Sequence, residues 1–233
     1  MEHLIKREVI RTEGLTKIYY KSALEIKALV DITITIEKGE FVAIMGASGA
    51  GKSTLLHILG CLDRPTHGNY FLAGYDVSTK SDKELSRIRA EKIGFVFQTF
   101  NLLPNYTVLE NVKMPFIYFD KEAIGGIDIT TKALSVIEEM GIDHRLNHYP
   151  AELSGGEQQR AAIARALVTS PEILLADEPT GNLDSKTGNE IIDIFRKLNR
   201  AGATVIMVTH NMELSAVASR FIYIKDGWIV EKE

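Results

Sequence analysis

The architecture of the chain follows from residues 46–54, Gly46-Ala47-Ser48-Gly49-Ala50-Gly51-Lys52-Ser53-Thr54. Their spacing of glycines before a lysine and a serine matches a phosphate-binding loop. The apolar run Phe41–Met45 before the loop predicts a buried strand, and Leu55–Leu59 after it predicts a helix. The glycines allow successive N–H groups to point at phosphate oxygens, and the N-terminus of the helix favours an anion. Lys52 is expected to reach the β- and γ-phosphates of a nucleotide, and the Ser53 hydroxyl is expected to lie on Mg²⁺.

A pair of carboxylates follows a second apolar run. Asp177 and Glu178 come directly after Ile173–Ala176, which predicts a core strand. Sites in open α/β sheets lie beyond the carboxyl ends of strands, where the phosphate loop is also expected. We therefore predict that Asp177 reaches the magnesium held by Ser53, and that Glu178 orients or deprotonates an attacking water.

Composition indicates a globular protein with no membrane-spanning segment. The 233 residues are 45% hydrophobic and 25% charged, with a formal net charge of −4. No apolar run approaches the roughly 20 residues that span a bilayer, and Met1–Glu8 lacks the apolar centre of a secretion signal, so we expect a cytoplasmic chain. Because the sequence has no basic tract, nucleic acid is not expected as a partner. The single cysteine, Cys61, predicts a small buried side chain.

Strands that alternate with helices predict one α/β domain with a mostly parallel sheet and helices on both faces. Residues 1–98 and 171–233 are expected to form this core with a small antiparallel β subdomain, and residues 99–170 an inserted helical subdomain. The local predictions are a short edge strand at Val9–Glu13 followed by a loop to Tyr20, a left-handed helix end at Gly60, an N-cap at Ser81, a helix over Thr107–Phe119, a helix over Ser185–Arg200 that stops at Gly202, and a hairpin turn at Asp226-Gly227.

A second anion site is predicted at Ser154-Gly155-Gly156, before a strongly helix-forming run. Glycine is a poor helix former, so two glycines in a first turn need another reason. They leave bare N–H groups at a positive helix end, which suits a phosphate. Since the chain already has one complete phosphate loop, two such sites suggest that two chains share each nucleotide.

The combined motifs resemble those of ATP-binding subunits of ABC transporters, and the resemblance covers essentially the whole chain. They are Gly46–Thr54, Gln98, Leu153–Arg160, Ile173–Glu178, Asn182-Leu183-Asp184 and His210. The stretches Gly60–Thr66, Phe95–Pro104 and Ala176–Asp184 are similar to those of the lipoprotein-release and macrolide-export type. The resemblance implies a P-loop nucleoside-triphosphatase core with ATP and Mg²⁺ as its ligands.

By position, the resemblance also implies roles for single residues. Gln98 corresponds to a glutamine that touches Mg²⁺ and the water, and His210 to a histidine that hydrogen-bonds the γ-phosphate. Tyr19 corresponds to an aromatic that stacks on adenine, with the neighbouring Tyr20 left as the alternative. Asp184 would act across a dimer interface, with Ser154, Gly155, Gly156 and Glu157 contacting the partner's ATP. The loop Thr99–Pro104 would face a membrane subunit.

The implied mechanism is a head-to-tail homodimer that ATP closes and hydrolysis reopens. It would drive separate membrane permease subunits from the inner face of the cell membrane, in export or release of a lipoprotein, peptide or drug-like substrate. The main competing hypothesis is a regulatory ATPase of the cell-division type that signals through a membrane partner without transport. The sequence also leaves open an ATPase acting on ribosomes or nucleic acid, and a nucleotide-binding protein without turnover.

Overall fold

The computed structural model describes residues 8–21, 24–119, 125–126, 128–209 and 217–231. His210 lies outside these described residues. The strands are β1 Glu8–Lys21, β2 Leu24–Glu37, β3 Phe41–Met45, β4 His67–Leu72, β5 Tyr75–Asp76, β6 Ile93–Val96, β7 Ile173–Asp177, β8 Thr204–Val208, β9 Arg220–Lys225 and β10 Trp228–Val230. The helices are α1 Lys52–Leu59, α2 Asp82–Lys92, α3 Val108–Lys113, α4 Ile129–Glu139, α5 Gly155–Leu167 and α6 Ser185–Arg200, with short 3₁₀ helices at Met114–Tyr118, Asp143–Arg145 and Pro150–Glu152.

Six strands form the central sheet in the order β10-β9-β3-β8-β7-β6, and all neighbours are parallel except β9 and β10. The five residues of β3 and of β8 are all buried, as expected for strands covered on both faces. β3 and β7 run in the same direction, with β8 between them. The phosphate loop after β3 and the carboxylates that end β7 therefore lie at one edge of the sheet, as predicted.

Side chains that alternate along the sheet strands enter two separate hydrophobic cores. Val42 and Leu175 belong to the core that contains the buried residues of α1. Phe41 and Leu174 belong to the other, which contains the apolar faces of α5 and α6. Helices thus cover both faces of the sheet, and the predicted fold class is confirmed.

A second, antiparallel sheet has the order β2-β1-β4-β5. The prediction of a short edge strand at Val9–Glu13 is wrong, because β1 is 14 residues long and pairs with β2 on one side and β4 on the other. The predicted loop after Glu13 is part of this strand. Gly14, at φ +58°, lies where the register of both ladders shifts, so the chain bends there without leaving the sheet.

Helices α3, α4 and α5 pack on one another around Val112, Ala133 and Ile163. The predicted helix over Thr107–Phe119 is only partly right. α3 ends at Lys113 and continues as a 3₁₀ helix that has Pro115 in its first turn, because proline cannot donate the helical hydrogen bond. The division of the chain at residues 99 and 170 stays a prediction.

Most predicted helix and turn ends are confirmed. Ser81 forms a capping box with Glu84, and Asp226-Gly227 joins β9 to β10 with both residues at positive φ. Gly202 follows α6 at φ +101°. Gly60 ends α1 as predicted, but the predicted left-handed conformation is wrong, since its φ is −78°, and a Cβ there would lie 2.9 Å from the Phe95 ring. This glycine serves a close approach and not a left-handed turn.

The remaining sequence predictions concern burial and membrane spans. Cys61 is buried as expected, and burial raises the pKa of its thiol to about 12. α6, with 16 residues, is the longest helix in the described ranges, where no helix combines the length and apolar character needed to cross a membrane.

Candidate nucleotide site

The loop between β3 and α1 requires glycine at two positions because carbonyl oxygens of other strands approach it closely. Gly46 has φ +152°, and a Cβ there would lie 2.2 Å from the Ile224 carbonyl oxygen. Gly51 has φ +108°, and a Cβ there would lie 2.4 Å from the Ala28 carbonyl oxygen. Any other residue at these two positions would have an unfavourable backbone conformation, and its Cβ would clash with the carbonyl oxygen.

Hydrogen bonds also attach this loop to both sheets. The Gly227 N–H donates to the Ala50 carbonyl over 3.0 Å, and the Val30 N–H donates to the Gly227 carbonyl over 2.8 Å. The hairpin turn after β9 therefore connects the phosphate loop to β2.

The Lys52 side chain folds over the loop. Its ammonium donates to the carbonyl oxygens of Gly46 and Ala47 over 3.0 and 2.9 Å. Burial lowers the pKa of Lys52, while the charges of Glu178 and Asp177 act in the opposite direction. A cation whose partners are neutral carbonyl oxygens of the loop is a suitable ligand for a phosphate oxygen.

Two oxygen ligands, one at the start of α1 and one at the end of β7, meet beside the loop. The Ser53 hydroxyl lies 3.3 Å from Oδ1 of Asp177 and donates to it. Burial raises the pKa of Asp177, against smaller lowering effects from Ser53, His57 and Lys52. A half-buried carboxylate that is only partly neutralised, beside a hydroxyl, has the hard oxygen chemistry that Mg²⁺ uses together with substrate phosphates. These residues therefore fit magnesium.

Glu178 has φ +44°, a left-handed conformation that costs a non-glycine residue roughly 1–2 kcal/mol. Its N–H donates to the Val208 carbonyl over 3.0 Å, which fixes the backbone against β8. Its charge acts on both Lys52 and Asp177. Strained residues that the surrounding structure holds in place cluster at active sites.

Gln98, two residues after β6, is in contact with the segment after Glu178. A Cβ at Gly181 would lie 2.7 Å from Nε2 of Gln98. The Asn182 side-chain amide donates to the Gln98 carbonyl over 3.0 Å. The sequence motifs give Asn182 no role of its own. Its contact with Gln98 joins residues 84 positions apart, and nothing in the sequence predicts it.

The structure separates the two tyrosines that were adenine candidates. The Tyr19 hydroxyl donates to Asp63 over 2.7 Å, and the Lys17 ammonium lies 4.8 Å from its ring centroid. Burial first, and then Asp63, raises the pKa of Tyr19, while a side-chain interaction with Thr54 lowers it. Tyr19 is thus fixed beside the phosphate-loop helix, whereas Tyr20 is 66% exposed.

Ser154 caps α5 through a capping box with Glu157. The Ser154 hydroxyl accepts from the Glu157 N–H over 3.3 Å and lies 2.8 Å from the Glu157 carboxylate. The first turn therefore offers fewer unpaired N–H groups than the sequence predicted, because the Glu157 N–H already donates to Ser154. The N–H groups of Gly155 and Gly156 belong to a first turn, where a helix supplies no partner of its own.

Asp184 lies beside this helix end and caps α6. Its carboxylate accepts from the N–H and the hydroxyl of Thr187 over 3.1 and 2.6 Å, and these bonds lower its pKa. A Cβ at Gly156 would lie 2.6 Å from the Thr187 methyl group, so the start of α5 packs closely on α6.

The predicted site residues thus fall into two groups. Residues 46–54, Gln98, Asp177 and Glu178 belong to one edge of the central sheet. Ser154, Gly155, Gly156, Glu157 and Asp184 line a separate depression, whose walls include no residue of the phosphate loop. The two groups therefore lie in different places on the chain.

A phosphate loop between a strand and a helix, with carboxylates from a neighbouring parallel strand, defines the class of P-loop nucleotide-binding proteins. Residues 29–181 match the family described as "ABC transporter". The chain belongs to the ABC transporter family, as an ATP-binding cassette.

Curated and solved relatives agree with this assignment. An uncharacterised ABC transporter ATP-binding protein of Thermotoga maritima is 48% identical over 96% of this chain and 94% of its own. The macrolide export ATP-binding/permease protein MacB of Rhodopirellula baltica is 48% identical, but this chain spans only 33% of it. The dimeric post-hydrolysis structure of the cassette MJ0796, bound to ADP and Pi, aligns with a TM-score of 0.87 at 45% identity, over 96% of this chain and 97% of that one.

Proposed function

We propose that this chain is the ATP-hydrolysing subunit of an ABC transporter, working as a head-to-tail dimer. The observation that supports this most is the division of the site within one chain. The loop, Asp177 and Glu178 lie at one edge of the sheet, while the capped end of α5 lies in a separate depression. Two copies facing each other complete both sites.

In this mechanism the Lys52 ammonium leaves the carbonyls of Gly46 and Ala47 and donates to the β- and γ-phosphates. Ser53, Asp177 and Gln98 would hold magnesium, which neutralises phosphate charge as the terminal bond breaks. Glu178 accepts a hydrogen bond from the attacking water and orients it or takes its proton. His210 would donate to the γ-phosphate.

The γ-phosphate also joins the two copies in this proposal. Ser154, Gly155 and Gly156 of one copy donate to the γ-phosphate bound by the other, and Asp184 acts across the same interface. Charge-assisted hydrogen bonds contribute roughly 1.5–3 kcal/mol each. Loss of several at once shifts a closed–open equilibrium by orders of magnitude. Hydrolysis therefore reopens the dimer.

The membrane part of the proposal rests on the relatives. MacB proteins named as ATP-binding/permease match this chain over about one third of their length, 33% in Rhodopirellula baltica. We propose separate permease subunits as partners, contacted through Thr99–Pro104, and a location at the inner face of the membrane. Export or release is the direction that the MacB relatives favour.

The proposal is tested by measuring phosphate release from Mg–ATP against chain concentration. Turnover per chain should rise with concentration, because each site needs residues from two copies. Ser154→Arg should remove turnover but keep ATP binding, since it removes the cap of α5 and the contact to the partner but leaves the phosphate loop intact. Turnover that is independent of concentration, or unaffected by Ser154→Arg, would contradict a shared site, and absence of phosphate release would indicate a binding protein without turnover.

Tyr19 and Tyr20 make different predictions for ATP affinity. Stacking of a base on an aromatic ring contributes roughly 1–3 kcal/mol, so Tyr19→Ala should weaken ATP binding by about fivefold or more. Titration calorimetry should give a Kd for Tyr20→Ala close to that of the parent. Tyr19→Phe is the matched control, because it keeps the ring and loses only the bond to Asp63. If Tyr20→Ala has the larger effect, the assignment of Tyr19 is wrong.

Asn182→Ala should slow turnover with little change in the KM for ATP. The bond from Asn182 to the Gln98 carbonyl holds the Asp184 segment to the Gln98 segment, and a neutral hydrogen bond contributes roughly 0.5–1.5 kcal/mol. We expect kcat to fall by about two- to tenfold, from the same range. Asn182→Asp has the same shape but no donor, so it should show the same loss in a phosphate-release assay. Full activity of Asn182→Asp would show that the hydrogen bond is not the cause.

A further inference from the structure

A negative charge stands where the proposed function requires a phosphate to bind. Glu157 is the third residue of α5, the helix whose N-terminus receives the partner's γ-phosphate in that proposal. A carboxylate in a first turn stabilises its own helix. It also repels a phosphate that approaches the same turn, and within one Debye length salt screens that repulsion only in part. The inference below rests on the proposed function.

The Glu157 carboxylate is held by two sets of donors. One oxygen, Oε2, accepts from the Ser154 N–H and the Ser154 hydroxyl, both over 2.8 Å. The other oxygen, Oε1, accepts from Nε of Arg145 over 2.8 Å. Bonds from Ser154, followed by the bond from Arg145, lower the pKa of Glu157 to about 2, so the carboxylate is charged at any working pH.

Arg145 is the close cation of this carboxylate. His144 is farther away, with Nε2 at 3.7 Å from Oε1, and it adds charge only when protonated. Arg160, which lines the same depression, pairs instead with Glu190 over 3.1 Å. Arg145 ends the 3₁₀ helix Asp143–Arg145, and its Nη1 lies 3.2 Å from Nε2 of His148, which holds the guanidinium in place.

We propose that Arg145 neutralises Glu157, so that the capping box can hold Ser154 in position without repelling the γ-phosphate bound by the partner copy. Arg145 is a positioning residue in this role, since it acts through Glu157 and not on the nucleotide. The proposal explains how an acidic residue directly after the two glycines is compatible with an anion site in the same turn.

A purely structural ion pair would make a different prediction. If Arg145 only stabilised the fold, a chain without it would remain defective when Glu157 also lost its charge. If Arg145 neutralises charge, Glu157→Gln should rescue Arg145→Gln, because the glutamine oxygen still accepts from Ser154 while the repulsion disappears.

The experiment measures dimer formation against Mg–ATP concentration by analytical ultracentrifugation, in a Glu178→Gln background that does not consume the nucleotide. Arg145→Gln should raise the ATP concentration for half-maximal dimer by about tenfold, within the range of couplings between contacting charges. The double variant, which also carries Glu157→Gln, should need less ATP than Arg145→Gln alone, because the repulsion is gone. The excess requirement of Arg145→Gln should shrink as salt increases. Arg196→Gln is the matched control, because it removes an equal charge from an exposed pair with Asp193 on α6.

Each outcome decides the proposal. Rescue by Glu157→Gln supports it, whereas an unrescued defect, a parent-like Arg145→Gln, or an equal defect in Arg196→Gln would overturn it. Thermal unfolding of all variants accompanies the assay, and rescue remains informative even if Arg145→Gln lowers stability. If the Glu178→Gln parent itself forms no dimer with ATP, the proposed function fails first, and the two failures are thereby distinguished.

Discussion

Glu178→Gln is expected to bind ATP as tightly as the parent, to lose turnover, and to accumulate as an ATP-bound dimer. The substitution keeps the shape of the side chain and removes the group that takes or orients the proton of water. Loss of a positioned general base lowers a rate by about 10²–10⁴-fold. Phosphate release measures the loss, and size-exclusion chromatography with and without Mg–ATP measures the dimer.

The matched control for this variant is Glu139→Gln, which removes a charge from an exposed position of α4 and not from the strand end. It should turn over ATP within about twofold of the parent, as surface substitutions usually do. Normal turnover in Glu178→Gln would show that another group activates the water. Turnover lost together with ATP affinity would instead indicate that the left-handed backbone at position 178 had been disturbed.

Lys52→Ala is the second large expected effect, and it concerns binding and not the chemical step. The ammonium already lies inside the loop, 3.0 and 2.9 Å from the carbonyls of Gly46 and Ala47. Charge-assisted hydrogen bonds contribute roughly 1.5–3 kcal/mol each, so loss of two should weaken ATP binding by about 100-fold or more. Titration calorimetry with ATP and ADP measures the change.

The charge-matched control is Lys83→Ala, at an exposed position of α2. It should leave the Kd for ATP unchanged. An unaltered Kd in Lys52→Ala would refute the role of this lysine. A loss for ATP alone, with ADP binding retained, would restrict its contact to the γ-phosphate.

The parts of the fold that could be predicted from sequence are those whose signal is local. β3 and α6 have the predicted bounds, because an apolar run and a 3.6-residue period define them. β1 could not be predicted in full, since Gly14 resembles a break and only pairing with β2 and β4 keeps the chain in the sheet. The close approach of Gly60 to Phe95 depends likewise on residues 35 positions apart.

The candidate site divides in the same way. The phosphate loop and the Asp177–Glu178 pair are predictable because a motif and a strand end specify them. The bonds of Asn182 to Gln98 and of Arg145 to Glu157 are not, because asparagine and arginine are common on surfaces and nothing in the sequence names their partners. Such contacts adjust a site that the motifs have already specified, so they become visible only after folding.

The attachment of the phosphate loop to the hairpin turn and to β2 has a consequence for the kinetics of nucleotide capture. Because the phosphate loop is already folded before a nucleotide binds, binding costs little further conformational entropy. Amide exchange at Gly227 and Val30, whose N–H groups donate the bonds of this attachment, should therefore be slow in the apo chain and change only modestly with ADP. The rate of nucleotide binding would then be limited by diffusional encounter of nucleotide and protein, and not by a conformational change of the phosphate loop.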